Sequence, residues 1–502
     1  MDVPRRAGDG ALLPSGGQCR PTATRCGPLR RRVLRLSLLL SVSLLAGCTV
    51  GSDYHPPSAA LTPAYHAAGL SPLGETERDW WRAFGDPKLE ALVSRALAQN
   101  LDIEAAAARV AQARGAAHGS DVASLPRLDA TASAETVRQS LETPVGRVAD
   151  RLTLPRSYEL YQVGVQAAWE IDLFGGLRRG RQAARADLEA AAADAGAVQV
   201  SVAAETADAY FQLRGLQARL ALATEQLQTE RTLLDLVRQK VEQGIVANRE
   251  LNRLIGEEQG LQAALSPLRA AAAGQLARLD VLIGAQAGTD PLDLGSSSNI
   301  ADAPPPDGSS NPADLMRRRA DIRAAEHRLA AANARIGIAI AEHYPRVSFG
   351  GLIGVVSLGM SNLFTDGAVQ ASGGAGLRWR LFDFGRVDAE VAQARGREAE
   401  ALALYRATLL RATGEVETAL VRYVEGGSEI AARQREVAAL RAARDQARQA
   451  YAGGVLALID VLDADRALLV AQDRLVMAKA ETARASVAAV RALGGGWLEE
   501  RS

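Results

Sequence analysis

Apolar and polar residues alternate in two stretches of the chain, and each stretch runs directly into a long alanine-rich segment of helical period. In YQVGVQAAWEIDL, Tyr161, Val163, Val165, Ala167, Trp169, Ile171 and Leu173 share one face of an extended chain. Gln162, Gly164, Gln166, Glu170 and Asp172 take the other. VQASGGAGLRWRL repeats the arrangement, with Val369, Ala371, Ala375, Leu377, Trp379 and Leu381 set against Gln370, Ser372, Arg378 and Arg380. Period-two alternation predicts strands with one apolar and one polar face. Weaker alternation in PRLDATASAETV and PRVSFGGLIGVV supplies each with an earlier partner. All four reach the roughly 9 to 11 residues that cross a bilayer at a tilt. The same pattern also suits a soluble sandwich, because the signal is weak per segment.

The segments after the strands predict helices of unusual length. No proline occurs from Gly176 to Gln243, and a continuous helix there would be about 100 Å long at about 1.5 Å per residue. Leu213, Leu220, Leu227, Leu234 and Val241 recur every seven positions, with Leu216, Ala223 and Val237 supplying most of the second heptad position. Leu254, Leu261, Leu268 and Leu282 continue the rhythm in a returning helix. Heptads of this kind predict coiled-coil packing between neighbouring helices.

The pattern occurs twice. An offset of 210 superposes Trp169 on Trp379, Phe174 on Phe384, Gly175 on Gly385, Glu205 on Glu415, Gly244 on Gly454 and Gly284 on Gly494. An offset of 219 matches LDIEAAAARVAQA at 101 with ADIRAAEHRLAAA at 320, and Pro126 with Pro345. The nine-residue difference therefore falls between Pro126 and Trp169. This is an internal duplication of two units of roughly 200 residues, not a short-period solenoid. The expected organisation is a signal segment at 1–47, an extended segment at 48–79, a first repeat at 80–287, a linker rich in Pro, Gly, Ser and Asp at 288–312, a second repeat at 313–493 and a tail at 494–502.

Composition and charge narrow the picture. Aromatic residues make up only 4% of the 502 residues, so closely packed helices with small contact residues fit better than a bulky core. Residues 1–47 carry eight Arg and two Asp; without them the chain has 50 basic and 56 acidic residues and a charge of about −6, which argues against nucleic acid as a partner. Arg30, Arg31 and Arg32 precede the apolar run Val33 to Ala46, in the form of a bacterial signal peptide. The stretch before Arg30 is long for a signal and fits a start codon placed too far upstream. Leu45-Ala46-Gly47-Cys48 resembles a lipobox, which makes Cys48 the expected site of a covalent lipid; an ordinary signal with a chance cysteine is the alternative. Cleavage leaves Cys48 as the sole cysteine, so no internal disulfide framework is expected. No segment contains 18 consecutive apolar residues, so no helical membrane span is expected.

A membrane sheet must close, because lipid cannot satisfy its edges. Four strands cannot close alone, so the pattern predicts a shared barrel of eight strands in a dimer or twelve in a trimer. Chemistry of other kinds finds little support. The five histidines, His55, His66, His118, His327 and His343, show no i, i+3 or i+4 pairing for a metal, and neither a phosphate loop nor a serine elbow is present. No enzymatic activity and no cofactor beyond the lipid are expected.

The segments LLAGCTVGSDY, WWRAFGDPKLEALVSRALAQNLDI, RRRADIRAAEHRLAAANARIGIAIAEHYPRVSF, LRWRLFDFGR and YAGGVLALIDVLDADRALLVAQ, taken in order, resemble the TolC-like outer-membrane efflux channels, in particular their NodT-type lipoprotein branch. Ser52 and Ala320 stand where that family usually has proline. The resemblance implies a mixed α+β membrane protein: a homotrimer with a 12-stranded outer-membrane β-barrel that continues into a 12-helix periplasmic α-barrel. It implies a passive conduit for small molecules, fed by a periplasmic adaptor and an inner-membrane pump. A channel for type I protein secretion is the alternative, and a lipid-anchored periplasmic adaptor a more distant one. Gly244, Val246, Gly454 and Val455 would lie at helical tips that meet the adaptor. Asp460 and Asp463, three residues apart on one helix face, would ring the closed aperture, with Asp465 pointing elsewhere into solvent. On the residues alone, acids near a helix start also serve simply to complement its dipole. Tyr451 and Glu250 match family positions that join neighbouring coils. Leu456 replaces the family's arginine, and Arg249 offers a basic group from the other hairpin.

Overall fold

The computed structural model describes residues 49–58, 65, 79–289, 292–295, 299–306, 313 and 318–495. The expected signal segment, Cys48, parts of the linker and the tail beyond 495 lie outside the described residues. After a 3-10 turn at Trp80–Phe84 come α1 (Pro87–Gln99), α2 (Leu101–Val122), β1 (Arg127–Arg138), α3 (Pro144–Arg151), β2 (Ser157–Ile171), α4 (Gly176–Glu242) and α5 (Asn248–Leu282). The second half contributes α6 (Ala320–Ala341), β3 (Arg346–Ser357), β4 (Val369–Arg378), α7 (Arg386–Ala452) and α8 (Leu458–Ala492). α4 and α7 are each 67 residues long, and α5 and α8 each 35. No helix among the described residues is long and apolar enough to cross a membrane.

The four strands form one antiparallel sheet in the order β1-β2-β3-β4. Its central pair, β2 with β3, joins the two halves and sets Trp169 opposite Phe349. β1 and β4 are left as edges. The helices obey the same order. Nearest the sheet, α2 packs on α4, α4 on α6 and α6 on α7; farther away, α5 packs on α4, α4 on α8 and α8 on α7. α4 and α7 therefore run through both layers while the shorter helices exchange between them.

Each strand enters its long helix through a glycine. Gly175 and Gly385 precede α4 and α7 at φ +84° and +83°, a left-handed conformation that costs glycine no steric penalty. Asp172 accepts from the backbone N–H groups of Leu177 and Arg178, and Asp383 from those of Gly385 and Val387. These carboxylates satisfy free donors of the first helical turn and face the positive end of its dipole.

The strand ends differ from the sequence expectation. β4 stops at Arg378 and β2 at Ile171, so Trp379, Leu381 and Leu173 lie past the sheet. The reason is the partner: Arg346 pairs with Arg378 and Val347 with Ile171, and beyond these residues β3 has nothing left to offer. The loop between β1 and β2 holds α3, which the alternation did not predict. Pro144 occupies its first turn, and Thr143 caps it by accepting from Gly146 N–H. The corresponding loop of the second half has only short 3-10 turns at Met360–Asn362 and Asp366–Ala368.

Buried contacts follow the helices. Trp80, Trp81, Phe84, Leu89 and Leu92 close over Tyr210 and Phe211 of α4, while Tyr65, Ile322, Tyr405 and Leu409 form a smaller cluster in the second half. Asp86 holds α1 in place twice: it caps the helix through Lys88 N–H and Leu89 N–H, and it accepts from the Tyr210 hydroxyl. Burial and that carboxylate push the Tyr210 phenol well above its usual range, so it stays a neutral donor. Among the heptad positions, Leu213, Leu227, Leu234, Val237 and Leu254 are buried.

Candidate functional site

Polar contacts bearing on the sequence expectations gather at the junction between strands and helices and at the tips of the two long hairpins. At the junction, the indole N–H of Trp169 donates to the Ser124 carbonyl at 3.0 Å, and that of Trp379 to the His343 carbonyl at 3.0 Å. The two carbonyls stand at corresponding positions of the halves, 219 residues apart. Each tryptophan thus ties the end of a strand to the end of the preceding helix while its ring stays partly exposed.

The first junction carries a strap. Val50 N–H donates to the Phe174 carbonyl, and Arg179, buried on α4, donates to the carbonyls of Val50 and Gly51 and to the Asp53 carboxylate at 2.9–3.0 Å. Asn333 of α6 donates to Ser52 at 3.3 Å. A Cβ on Gly175 would sit 2.6 Å from Thr49 Cγ2, so the glycine serves both the turn and the strap. Among the described residues the second junction has no counterpart, and Ala389 stands where Arg179 would be needed. Phe174 stacks on Tyr344 with centroids 4.7 Å apart, whereas Leu381, Phe382 and Phe384 are largely exposed.

At the other end, α4 and α7 reverse at Gly244 and Gly454, with φ +70° and +76°. Ile245 N–H returns to the Lys240 carbonyl and Val455 N–H to the Ala450 carbonyl, the hydrogen bonding of a left-handed helix cap. The equivalence of the tips shows which side chains they present. Val455 is 80% exposed and Ile245 is 67% exposed. Val246, by contrast, packs beside the cluster of Leu234, Val237, Leu254 and Leu462, so Ile245 is the apolar tip residue that the sequence reading missed.

The expected gate residues do come near the tips, with several unforeseen partners. Asp460 caps α8 by accepting from Ala457 N–H at 3.1 Å. Asp463 accepts from Arg253 of the first hairpin at 3.3 Å, and Arg253 also pairs with Glu257 at 3.1 Å. Tyr451 accepts from the Lys240 ammonium at 3.0 Å, with the cation 5.2 Å from the ring centroid. Arg249 and Glu250 pair with each other at 2.8 Å. Two of these contacts, Lys240 to Tyr451 and Arg253 to Asp463, therefore fasten one hairpin to the other, and both cations were absent from the sequence-derived set.

Asp465 departs from expectation. It is buried, not solvated, and accepts from Arg448 of α7 at 3.0 Å on both oxygens, with Arg444 at 3.8 Å. Two residues along a helix turn the side chain about 200° away from Asp463, which aims Asp465 into the seam with α7, where arginines one turn apart meet it. Among the described residues no cluster of His, Cys, Asp and Glu is suited to a metal ion.

Comparison with known proteins places this geometry in context. Residues 92–285 and 311–495 match the family model described as outer membrane efflux protein. The chain is 30% identical over 477 residues to the pyoverdine export outer membrane protein OpmQ of Pseudomonas aeruginosa, covering 93% of this chain and 98% of that one. It is 29% identical over 459 residues to nodulation protein T of Rhizobium leguminosarum bv. trifolii, covering 90% and 96%. Among solved structures, the outer-membrane channel OprN superposes with a TM-score of 0.79 at 33% identity, over 90% of this chain and 100% of that one. The Campylobacter jejuni CmeC outer membrane channel shares the fold, with a TM-score of 0.83 at 23% identity over 90% and 95%.

The two classes of seam contact differ in energetic weight. Arg448→Ala leaves Asp465 buried with only the more distant Arg444 and is expected to cost about 3 kcal/mol. Arg253→Ala breaks a more exposed pair and is expected to cost less than about 1 kcal/mol. Urea denaturation of the purified variants checks the order; equal losses would contradict it.

Proposed function

The chain belongs to the outer membrane efflux protein family, and on that footing we propose that three copies of it close into a single conduit across the outer membrane. Its function is that of the outer-membrane channel of a tripartite efflux system, working with an adaptor and an inner-membrane pump. While the number three follows the family resemblance, the observation that carries closure by further copies is the agreement of edges: sheet and helix layers all end with β1, α2 or α5 on one side and with β4 or α7 on the other. One copy's β4 then meets the next copy's β1, and its α7 meets the next copy's α2 and α5. Three copies give twelve strands, enough for a barrel, and twelve helices around each level of a tunnel. The exposed Phe384 supports this reading. Its counterpart Phe174 rests on Tyr344, and the same offsets bring Phe384 onto Leu125 of a neighbouring copy.

The membrane boundary falls at the junction. Trp169 and Trp379, half-exposed and anchored through their indole N–H groups, suit the bilayer interface, where an amphipathic ring lies between lipid and water. Thr49 packs against Gly175 at the same level. The Arg179 strap fixes the segment from Val50 at that level, and the expected lipid site, Cys48, directly precedes Thr49 in the sequence. Labelled palmitate is expected to enter the wild-type protein and not Cys48→Ser; absence of label from the wild type would refute the anchor.

The hairpin tips, farthest from the membrane, are the surface offered to the adaptor, with Ile245 and Val455 exposed on it. Just inside, Asp460 and Asp463 of three copies form rings of carboxylates around the axis. Such rings concentrate cations in a narrow aperture, while Tyr451, Arg249 and Glu250 belong to the contacts that keep it shut. Asp460→Asn with Asp463→Asn is expected to weaken cation selectivity severalfold in planar bilayers while the trimer still assembles. Unchanged selectivity in the double variant would remove both residues from the aperture.

A further inference from the structure

Glu230 breaks the heptad of α4. Counting from Leu213, the second core position recurs at Leu216, Ala223, Glu230 and Val237, so an acid occupies a place where the pattern calls for an apolar side chain. The structure buries it: Glu230 is only 4% exposed, and its Oε1 has no hydrogen-bond partner. It lies 14 residues before Gly244, about 20 Å up the helix from the tip.

Its surroundings are acidic, and the arginines nearby are already engaged. From α5, Glu257 faces it, paired with Arg253, while the adjacent Glu258 pairs with Arg231 of α4. From α8, Asp465 faces it, held by Arg444 and Arg448 of α7. An ionised Glu230 would be a buried charge with carboxylates on both sides and no cation of its own. A buried charge without a partner is costly, and binding a proton is the direct way to remove it.

We propose that Glu230 is a proton-binding site that latches the two hairpins together, neutral while their seam is closed and ionised when the seam opens. Burial, followed by the charges of Glu257 and Asp465, pushes its carboxyl from 4.5 up to about 7. The closed seam thus holds a proton that an open, hydrated seam releases. Between the open and closed values the closed state binds more protons, so its advantage is complete at low pH and is lost as pH rises toward 7 and beyond. Between pH 6 and pH 8 the closed-to-open ratio falls about tenfold. No metal ion is required, because the flanking carboxylates already carry guanidinium partners.

The test is hydrogen–deuterium exchange on the purified full-length protein in lipid nanodiscs at pH 6 and pH 8, corrected for the intrinsic dependence of exchange on pH. Peptides covering 226–237 and 461–470 are expected to exchange about tenfold faster at pH 8 in the wild type, and equally slowly at both pH values in Glu230→Gln. Glu230→Met, similar in volume and without a proton to bind, must behave like Glu230→Gln, which covers the case in which the amide itself disturbs folding. A wild type without the pH response, or variants that keep it, would overturn the proposal. Planar-bilayer conductance at the same pH values extends the test and rests on the channel reading. Conductance that rises from pH 6 to pH 8 only in the wild type supports the latch. PH-dependent exchange in chains that conduct nothing supports the latch and counts against the channel.

Discussion

An unpaired strand edge cannot stand in lipid. Each backbone N–H and C=O left without a partner in the hydrocarbon costs several kcal/mol, and the described residues build a sheet of four strands with β1 and β4 as its open edges. The helices inherit the constraint, because α4 and α7 continue from β2 and β4 and carry the lateral order of the sheet through both helical layers. Closure by further copies, as proposed, would satisfy the sheet and the helices together. The same demand explains the composition. Alanines at 183, 186, 190 and 193 of α4 are buried, and such small side chains let long helices approach closely with few aromatic residues.

In the proposed assembly the contact between the two similar halves is the template for the contact between copies. The departures from repetition are informative for that reason. Arg179 has Ala389 as its counterpart, so among the described residues the strap belongs to the first junction alone. The loop between β1 and β2 carries α3, whereas its counterpart carries only 3-10 turns. At the tips, Lys240 with Tyr451 and Arg253 with Asp463 tie together hairpins that are otherwise close equivalents. Asymmetry of this kind makes the two hairpins unlike where they meet.

Much of the fold was legible because its signals are local. The change from period two to helical period, with a glycine at the change, located both strand-to-helix junctions and both long helices. The ends of β2 and β4 were not legible, since a strand stops where its partner stops. α3 escaped because eight residues are too few to show a period, although the Thr-Pro pair that caps it was in view. The site was legible in proportion to how far it depends on a single helix. Asp460 and Asp463 share a face by spacing alone. The burial of Asp465 depends on Arg448, which reaches it from across the turn, and the role of Arg253 depends on a partner 210 residues away. The position of Glu230 was visible as the one acid in a run of apolar heptad sites; only the packed seam shows that it has no cation to balance it.

The proposed ring depends on how β4 of one copy meets β1 of the next. The β2–β3 register pairs Ala167 with Gly351, and the offsets of 210 and 219 carry that pair to Leu377 of one copy and Ala132 of its neighbour. Cysteines placed at Ala132 and Leu377 of the same chain, treated in isolated outer membranes with a short thiol crosslinker and resolved on denaturing gels, test the arrangement directly. The predicted result is a covalent ring that stops at three chains and that fails to form when either cysteine is omitted. Chains that remain monomeric despite reaction at both cysteines, or a ladder that continues past three, would contradict it.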